Sequence, residues 1–323
     1  MTTTQPTRLT ARTPEDLLAM VPVVLGFAPE DSVVMLTFGA DHPFHARVDL
    51  PDSRGDVREV VAALLDPVRA HRVRRVVFVI YAGDHAFATH VSRSLVRSFG
   101  AAGVEVIDVL RADGSRWFPV LRSRPGVPEW GVPYDLSAHA FTAQSVLDGR
   151  VTHGSRAELR ATLGTDADGV SALVEQVRCW QDRPGQPAGE AAWASSLVRQ
   201  HAKEGTPVSD VDAARLLVGI GDLQARDAVW MLMTRANAPE HVAFWTDLVR
   251  RSPEDLVAPP AALLAFAAWL SGHGALAWCA VDRCREAYPG YRLAGYIADA
   301  LTRAVPPGVW DDQLFWASLD DPA

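Results

Sequence analysis

Lysine is almost missing from this sequence. Lys203 is the only one, and apart from histidine every other basic side chain is an arginine. A lysine-bearing, glycine-rich phosphate loop is therefore excluded, because no glycine-rich stretch carries the lysine that reaches the phosphates. Lys203 lies in the polar run His201-Ala-Lys-Glu-Gly205. That run reads as a solvated helix end, without the burial that would turn a lysine into a general base or Schiff-base nucleophile. Cysteine is scarce too: Cys179, Cys279 and Cys284, with no C-x-x-C. This count excludes a disulfide framework or zinc site and points to a reducing compartment. All three read as small core residues.

Long apolar runs are also absent. The most apolar window, Ala261 to Leu270, covers about half a membrane span and stops at Ser271-Gly-His-Gly274. The opening Met1-Thr-Thr-Thr-Gln-Pro6 has neither the basic nor the apolar stretch of a signal peptide. The expectation is a cytoplasmic protein with no membrane partner. Positive charge is in deficit, 31 basic against 39 acidic residues for a net charge of −8. That balance argues against a nucleic-acid partner, since neutralising phosphates needs clustered positive charge.

What is present is ordinary globular material: 323 residues, 48% apolar and 22% charged, enough for two domains with separate cores. Strand-like segments are confined to about the first 121 residues. Asp31–Phe38 and Phe44–Leu50 flank the turn Gly39-Ala-Asp-His-Pro43 and read as a hairpin. Arg74–Tyr81 is a nearly continuous apolar, β-branched run, the mark of a strand covered on both faces. Val104–Leu110 and Arg116–Leu121 surround the turn signal Asp113-Gly114. Helical patterns start at Thr13-Pro-Glu-Asp16 and cover Val57–Arg72 and Ala86–Ala101. The fold expected for residues 1–136 is α/β, a mixed sheet flanked by helices.

Beyond Ser137 helix starts recur: Ser155-Arg-Ala-Glu158, Ser209-Asp-Val-Asp212, Asn237-Ala-Pro-Glu240 and Ser252-Pro-Glu-Asp255. Breaks fall at Arg183-Pro-Gly-Gln-Pro187, Glu204-Gly-Thr-Pro207 and Ala258-Pro-Pro260. Eight of ten tryptophans follow residue 179, as buried faces of packed helices would require. Residues 137–323 are thus expected to be all-helical, with connecting helices over 137–204 and repeat-like helical hairpins over 205–323. Charge divides unevenly, 16 basic and 17 acidic residues to position 150, then 15 and 22.

Two stretches of pattern resemble known families. Gly272 to Tyr291, GHGALAWCAVDRCREAYPGY, is similar to the turn and second helix of a tetratricopeptide repeat. Gly272 matches the turn, Ala277, Ala280 and Cys284 the small packing positions, and Pro289 the terminal proline. Gly274 stands where that repeat usually carries an aromatic residue. The chain as a whole resembles an actinobacterial family known as domain of unknown function 4192. The carrying residues are Asp16-Leu-Leu-Ala-Met-Val-Pro22, Leu25-Gly-Phe-Ala-Pro-Glu-Asp-Ser32, Ala46-Arg-Val-Asp-Leu-Pro51 and Tyr134-Asp-Leu-Ser-Ala-His139. Gly149-Arg150, Ser155-Arg156 and the Gly272–Tyr291 segment extend it. This resemblance implies an actinobacterial cytoplasmic origin, which suits the arginine-rich usage, and implies no activity.

Candidate site residues come in three groups. Glu30 and Asp31, between the first helix and first strand, could pair as carboxylates; alternatively Gly26 stops the helix and Asp31 and Ser32 bond local backbone. Asp84 and His85 follow the buried strand, where open α/β sheets collect ligands, and could form an acid–base pair with His90 nearby. Asp84 is equally an excellent N-cap, and its charge would repel a phosphate. The irregular stretch Ser123–Leu136 carries Trp130 and Tyr134, which could cover a ligand at the domain junction. His139, Arg150, His153 and Arg156 lie near in sequence, the arginines suited to clamping an anion. The plainer reading is a linker pinned by its aromatics. No G-x-S-x-G, G-x-G-x-x-G or His-x-x-x-His pattern occurs, so no cofactor or metal is expected. The resulting expectation is a non-enzymatic adaptor that binds a protein partner through its acidic helical domain. The alternative is a small-molecule-binding protein or enzyme, with its site at the sheet edge and domain junction.

Overall fold

The computed structural model describes residues 10–40, 44–120, 124–182 and 187–310. The expected turn residues 41–43, the break at 183–186 and the opening Met1–Pro6 lie outside them. The chain forms two compact units, Met1–Arg156 and Ala157–Ala323.

The first unit is built on a six-stranded mixed sheet in the order β2-β1-β3-β4-β5-β6. Its strands are β1 (Ser32–Phe38), β2 (His45–Asp49), β3 (Arg75–Tyr81), β4 (Glu105–Ala112), β5 (Arg116–Pro119) and β6 (Val132–Pro133). β1 pairs antiparallel with both β2 and β3, which places the apolar runs at the centre; Val33, Val34, Met35 and Leu36 are wholly buried. β3 and β4 are the parallel pair. They are joined by α3 (His85–Ala101), the crossover that parallel strands require. β4 turns back into β5 at Asp113-Gly114, where Gly114 takes a φ of +93° and Asp113 accepts from the Ser115 and Arg116 amides. β6 is two residues long and falls in the stretch read from sequence as irregular.

Alternation divides the core into two layers. Val33, Met35, Phe78, Ile80 and Val109 face α2 (Val57–Ala70) and α3. Val34, Leu36, Val77, Val79 and Leu110 face α1 (Pro14–Leu25). α1 opens with a capping box: Thr13 accepts from the Asp16 amide, and the Asp16 carboxylate accepts from the Thr13 amide. It closes at Gly26, whose φ of +79° carries the chain out and whose amide donates to the Pro22 carbonyl. α4 (Ala140–Leu147) packs on α1 inside this unit, so residues 137–156 fold with the sheet.

Among the described residues of the second unit there are only helices. α5 (Arg156–Ala161) begins at the unit boundary, followed by α6 (Ala167–Gln181), α7 (Pro187–Glu204), α8 (Asp210–Gly219), α9 (Leu223–Trp230) and α10 (Ala238–Arg251). α11 (Ala258–Leu270), α12 (Gly274–Ala287) and α13 (Arg292–Thr302) complete it. Each of α10, α12 and α13 packs on α11, whose thirteen residues are all buried. The helix start expected at Ser252 falls differently. Ser252 is buried and its hydroxyl donates to the Leu248 carbonyl at the end of α10; the start it signals yields one short 3-10 turn, Glu254–Leu256, and α11 follows from Ala258. Cys279 and Cys284 are core residues, and burial pushes the Cys284 thiol up to about 12; Cys179 is exposed instead.

Candidate functional site

The predicted site residues are placed by local backbone chemistry first. Asp84 Oδ1 accepts from the Ala86 and Phe87 amides at 2.7 and 3.2 Å, so its carboxylate is committed to capping α3. His85 is the first, exposed residue of that helix. Asp31 is exposed with a φ of +37°, and its carbonyl accepts from the Leu50 amide at 2.8 Å. Trp130 is 72% exposed. Arg150 is exposed, its amide donating to the Ser145 carbonyl.

The side chains of three of the eight meet ionisable groups distant in sequence. Tyr134 lies half-buried against the sheet near Tyr81 and Asp113. Burial and the Asp113 charge push its phenol up, as burial and Tyr134 push up that of Tyr81. His139 caps α4 through Nδ1 and bonds Asp16 through Nε2 at 3.1 Å. Arg156, exposed, places its charge near Arg47, which burial and that charge push down against the pull of Asp49. Among the described residues, no hydrogen bond or ion pair joins Asp84 or His85 to Trp130, Tyr134, His139 or Arg150.

At the sheet edge the sequence reading missed Arg111. It is 5% exposed, its Nη1 donates to the Ala82 and Gly83 carbonyls at 3.1 Å each, and its guanidinium lies 3.8 Å from the centre of the Phe118 ring. Burial pushes its pKa down, against the attraction of Asp113 and Asp84. An arginine inside Val109-Leu110-Arg111-Ala112 was the available signal, since a buried charge needs fixed partners.

A cavity of the first unit lies at the other end of β3. It holds about 350 Å³ on the α1 side of the sheet, where β1 ends and β3 and β4 begin. None of the eight predicted residues lines it. Leu17, Phe38, Val77 and Ile107 give it an apolar floor; Arg12, Arg75, Arg124 and Asp108 are its charged groups.

Each of these groups is positioned for a physical reason. Arg12 precedes the capping box, and its amide donates to Asp16 Oδ2 at 2.7 Å. Arg75 begins β3 opposite Phe38, its guanidinium beside Gly39, which takes a left-handed φ of +73°. Ile107 and Asp108 are sequence neighbours, which ordinary alternation would send to opposite faces. The register between β3 and β4 jumps here, pairing Val76 with Val106 and Val77 with Asp108, so Ile107 is an extra, bulged residue. Both side chains therefore reach the cavity. Arg124 donates to Asp108 Oδ2, and that pair is neutral as a unit. Among the described residues Arg12 and Arg75 form no ion pair, although Glu105 is Arg75's register partner on β4. The cavity walls thus carry an excess of positive charge in a chain of net charge −8.

Among the described residues no group of three or more His, Cys, Asp or Glu side chains could hold a metal ion, and no helix is long and apolar enough to cross a membrane. The chain belongs to the family described as Domain of unknown function (DUF4192), whose model matches residues 14–308. No curated protein and no solved structure matches it.

Proposed function

We propose that this chain is a binding protein whose α/β unit takes a small anionic molecule in the cavity between the start of α1 and the β1–β3–β4 edge. The observation that carries this reading is the pair of exposed guanidiniums, Arg12 and Arg75, which form no ion pair among the described residues and stand on the wall of a hollow with an apolar floor. Guanidiniums stay charged at all working pH values and present fixed donors suited to carboxylates and phosphates. The same residues favour binding over chemistry, because arginine exchanges no proton and the one carboxylate, Asp108, is tied to Arg124. The test is a fluorescence titration with anilinonaphthalene sulfonate, an anionic dye. Arg12→Gln/Arg75→Gln should weaken its binding by roughly tenfold or more, the loss expected for charge-assisted contacts. Equal binding by both proteins would overturn the reading.

A second reading, a protein-interaction adaptor acting through the helical unit, is supported by a separate observation. Leu223 and Met231, at the two ends of α9, are 62% and 64% exposed in a half of the chain with 22 acidic against 15 basic residues after position 150. The tetratricopeptide-like reading is supported by α11 and α12 packing together across Gly272, whose φ is +75°. Three free thiols support a reducing cytoplasm as the setting. Capture of a stoichiometric protein partner that Leu223→Ser/Met231→Ser no longer retains would establish the adaptor reading. Equal capture by wild type and variant would remove this surface.

A further inference from the structure

We infer that the ligand class of this cavity is an amphipathic monoanion: a single carboxylate on a flexible apolar body, as in a medium-chain fatty acid. The inference rests on reading the cavity as an anion site and adds to it the identity of the ligand.

Three features select that class. The first is the charge on Arg12 and Arg75, which form no ion pair among the described residues and ask for an anionic head group. The second is Glu105, the register partner of Arg75 on β4. A second negative charge on the ligand would be set against its carboxylate, so a polyanion gains little over a monoanion. The third is Ile107. A bulge aims it into the cavity, yet it is 50% exposed, and Phe38 and Leu17 beside it are only partly covered. A bulge of this kind re-aims a side chain at a cost in pairing, and here it adds apolar surface where a soluble inorganic anion would need none. An apolar tail would cover Ile107, Phe38 and Leu17 together. The volume, about 350 Å³, sits at the small end of the range for ligand pockets and suits a molecule of modest length.

The test is displacement of anilinonaphthalene sulfonate from the full chain by acetate, octanoate, citrate and octanol. Each buried methylene tightens binding roughly fourfold, so with half of its added methylenes covered octanoate should bind at least about 50-fold tighter than acetate. Octanol, which lacks the charge, should displace the dye roughly tenfold less well than octanoate. Citrate should displace it no better than acetate. Ile107→Ser, a change at a half-exposed position, should weaken octanoate about fivefold and leave acetate unchanged. If the dye binds in an Arg12- and Arg75-dependent way but octanoate does no better than acetate, or citrate does better than octanoate, the ligand class is wrong while the anion site stands. If octanol matches octanoate, the head group is not recognised and the inference fails. If dye binding ignores the two arginines, both the inference and the reading beneath it fall.

Discussion

His139 and Asp16 stand 123 residues apart in sequence and 3.1 Å apart in space, Nε2 to Oδ1. Each is also a helix cap. Asp16 closes the capping box of α1, and His139 Nδ1 accepts from the Phe141 amide at the start of α4. With Nδ1 accepting from that amide, Nε2 is the ring nitrogen placed to donate to Asp16. One hydrogen bond therefore ties the beginnings of two helices together.

Removing that tie has a defined cost. Asp16→Ala deletes the return half of the capping box and His139's partner together, and should destabilise the protein by about 1–2 kcal/mol in urea unfolding. The pH dependence has a definite sign. Burial pushes the Asp16 carboxyl up, but the amides of Arg12 and Thr13 and the His139 ring outweigh it and hold the pKa below 3.8. The stability Asp16 contributes is therefore present above its unfolded pKa and lost as pH falls through the lower folded value. Asp16→Asn should flatten the acid limb of the stability curve; an unchanged limb would place the acid sensitivity elsewhere.

Two histidines set a second limb. His45, half-buried on β2, and His241, buried on α10, are each held neutral by desolvation, with pKa values lowered to about 4. The unfolded chain takes up those protons near pH 6.5, so stability should fall as pH drops from about 6.5 towards 4. The loss is about 3 kcal/mol for each fully protonated site. His241→Gln, measured at pH 5 and pH 7.5, should show a smaller difference between the two than the wild type does. An equal difference would mean the His241 ring is solvated.

Gly131 controls the Arg111 site through Phe118. Its φ is +77°, and a Cβ there would lie 2.5 Å from Phe118 Cε1. Gly131→Ala must displace the ring that lies 3.8 Å from the Arg111 guanidinium, and should cost roughly 1–3 kcal/mol from strain and overpacking. The check is the thermal midpoint, compared with Gly126→Ala, where φ is +82° but no atom lies within 4 Å of the added carbon. Equal losses would mean backbone strain alone is responsible.

In the helical unit Arg215 donates to both carboxylate oxygens of Glu190, at 3.1 and 2.8 Å, and lies 3.9 and 5.0 Å from the Trp193 and Trp180 ring centres. Arg215→Lys keeps the charge but loses the fork and the planar stacking. It should cost about 1–2 kcal/mol and shift the tryptophan emission. Unaltered emission would show that the rings do not sense the guanidinium.

Where one local rule dominates, these residues could be read without coordinates. The run Val76–Tyr81 is apolar throughout and became part of a central strand; Asp84 stands where an N-cap belongs and caps. The cavity was not legible, for a topological reason. Arg12, Arg75 and Arg124 are spread over more than a hundred positions and meet only because β1 pairs with β3 rather than ending its sheet at the hairpin. Nor does the pattern of Val104–Leu110 reveal its bulge, which arises from the register against β3. His139 was nominated for its neighbours Trp130 and Tyr134, but its partner is Asp16. The only hint was that both belong to the motif blocks by which the chain resembles its family.

α11 has no outward side. With all thirteen of its residues buried, the helix cannot fray into solvent, be clipped by a protease or lend a face to a partner while its neighbours stay in place. Its amides should therefore be among the last of the helical unit to exchange with deuterium, and at the rate of that unit's wholesale opening. Whatever α10, α12 and α13 do when something binds them, they must do as one block around a fixed axle.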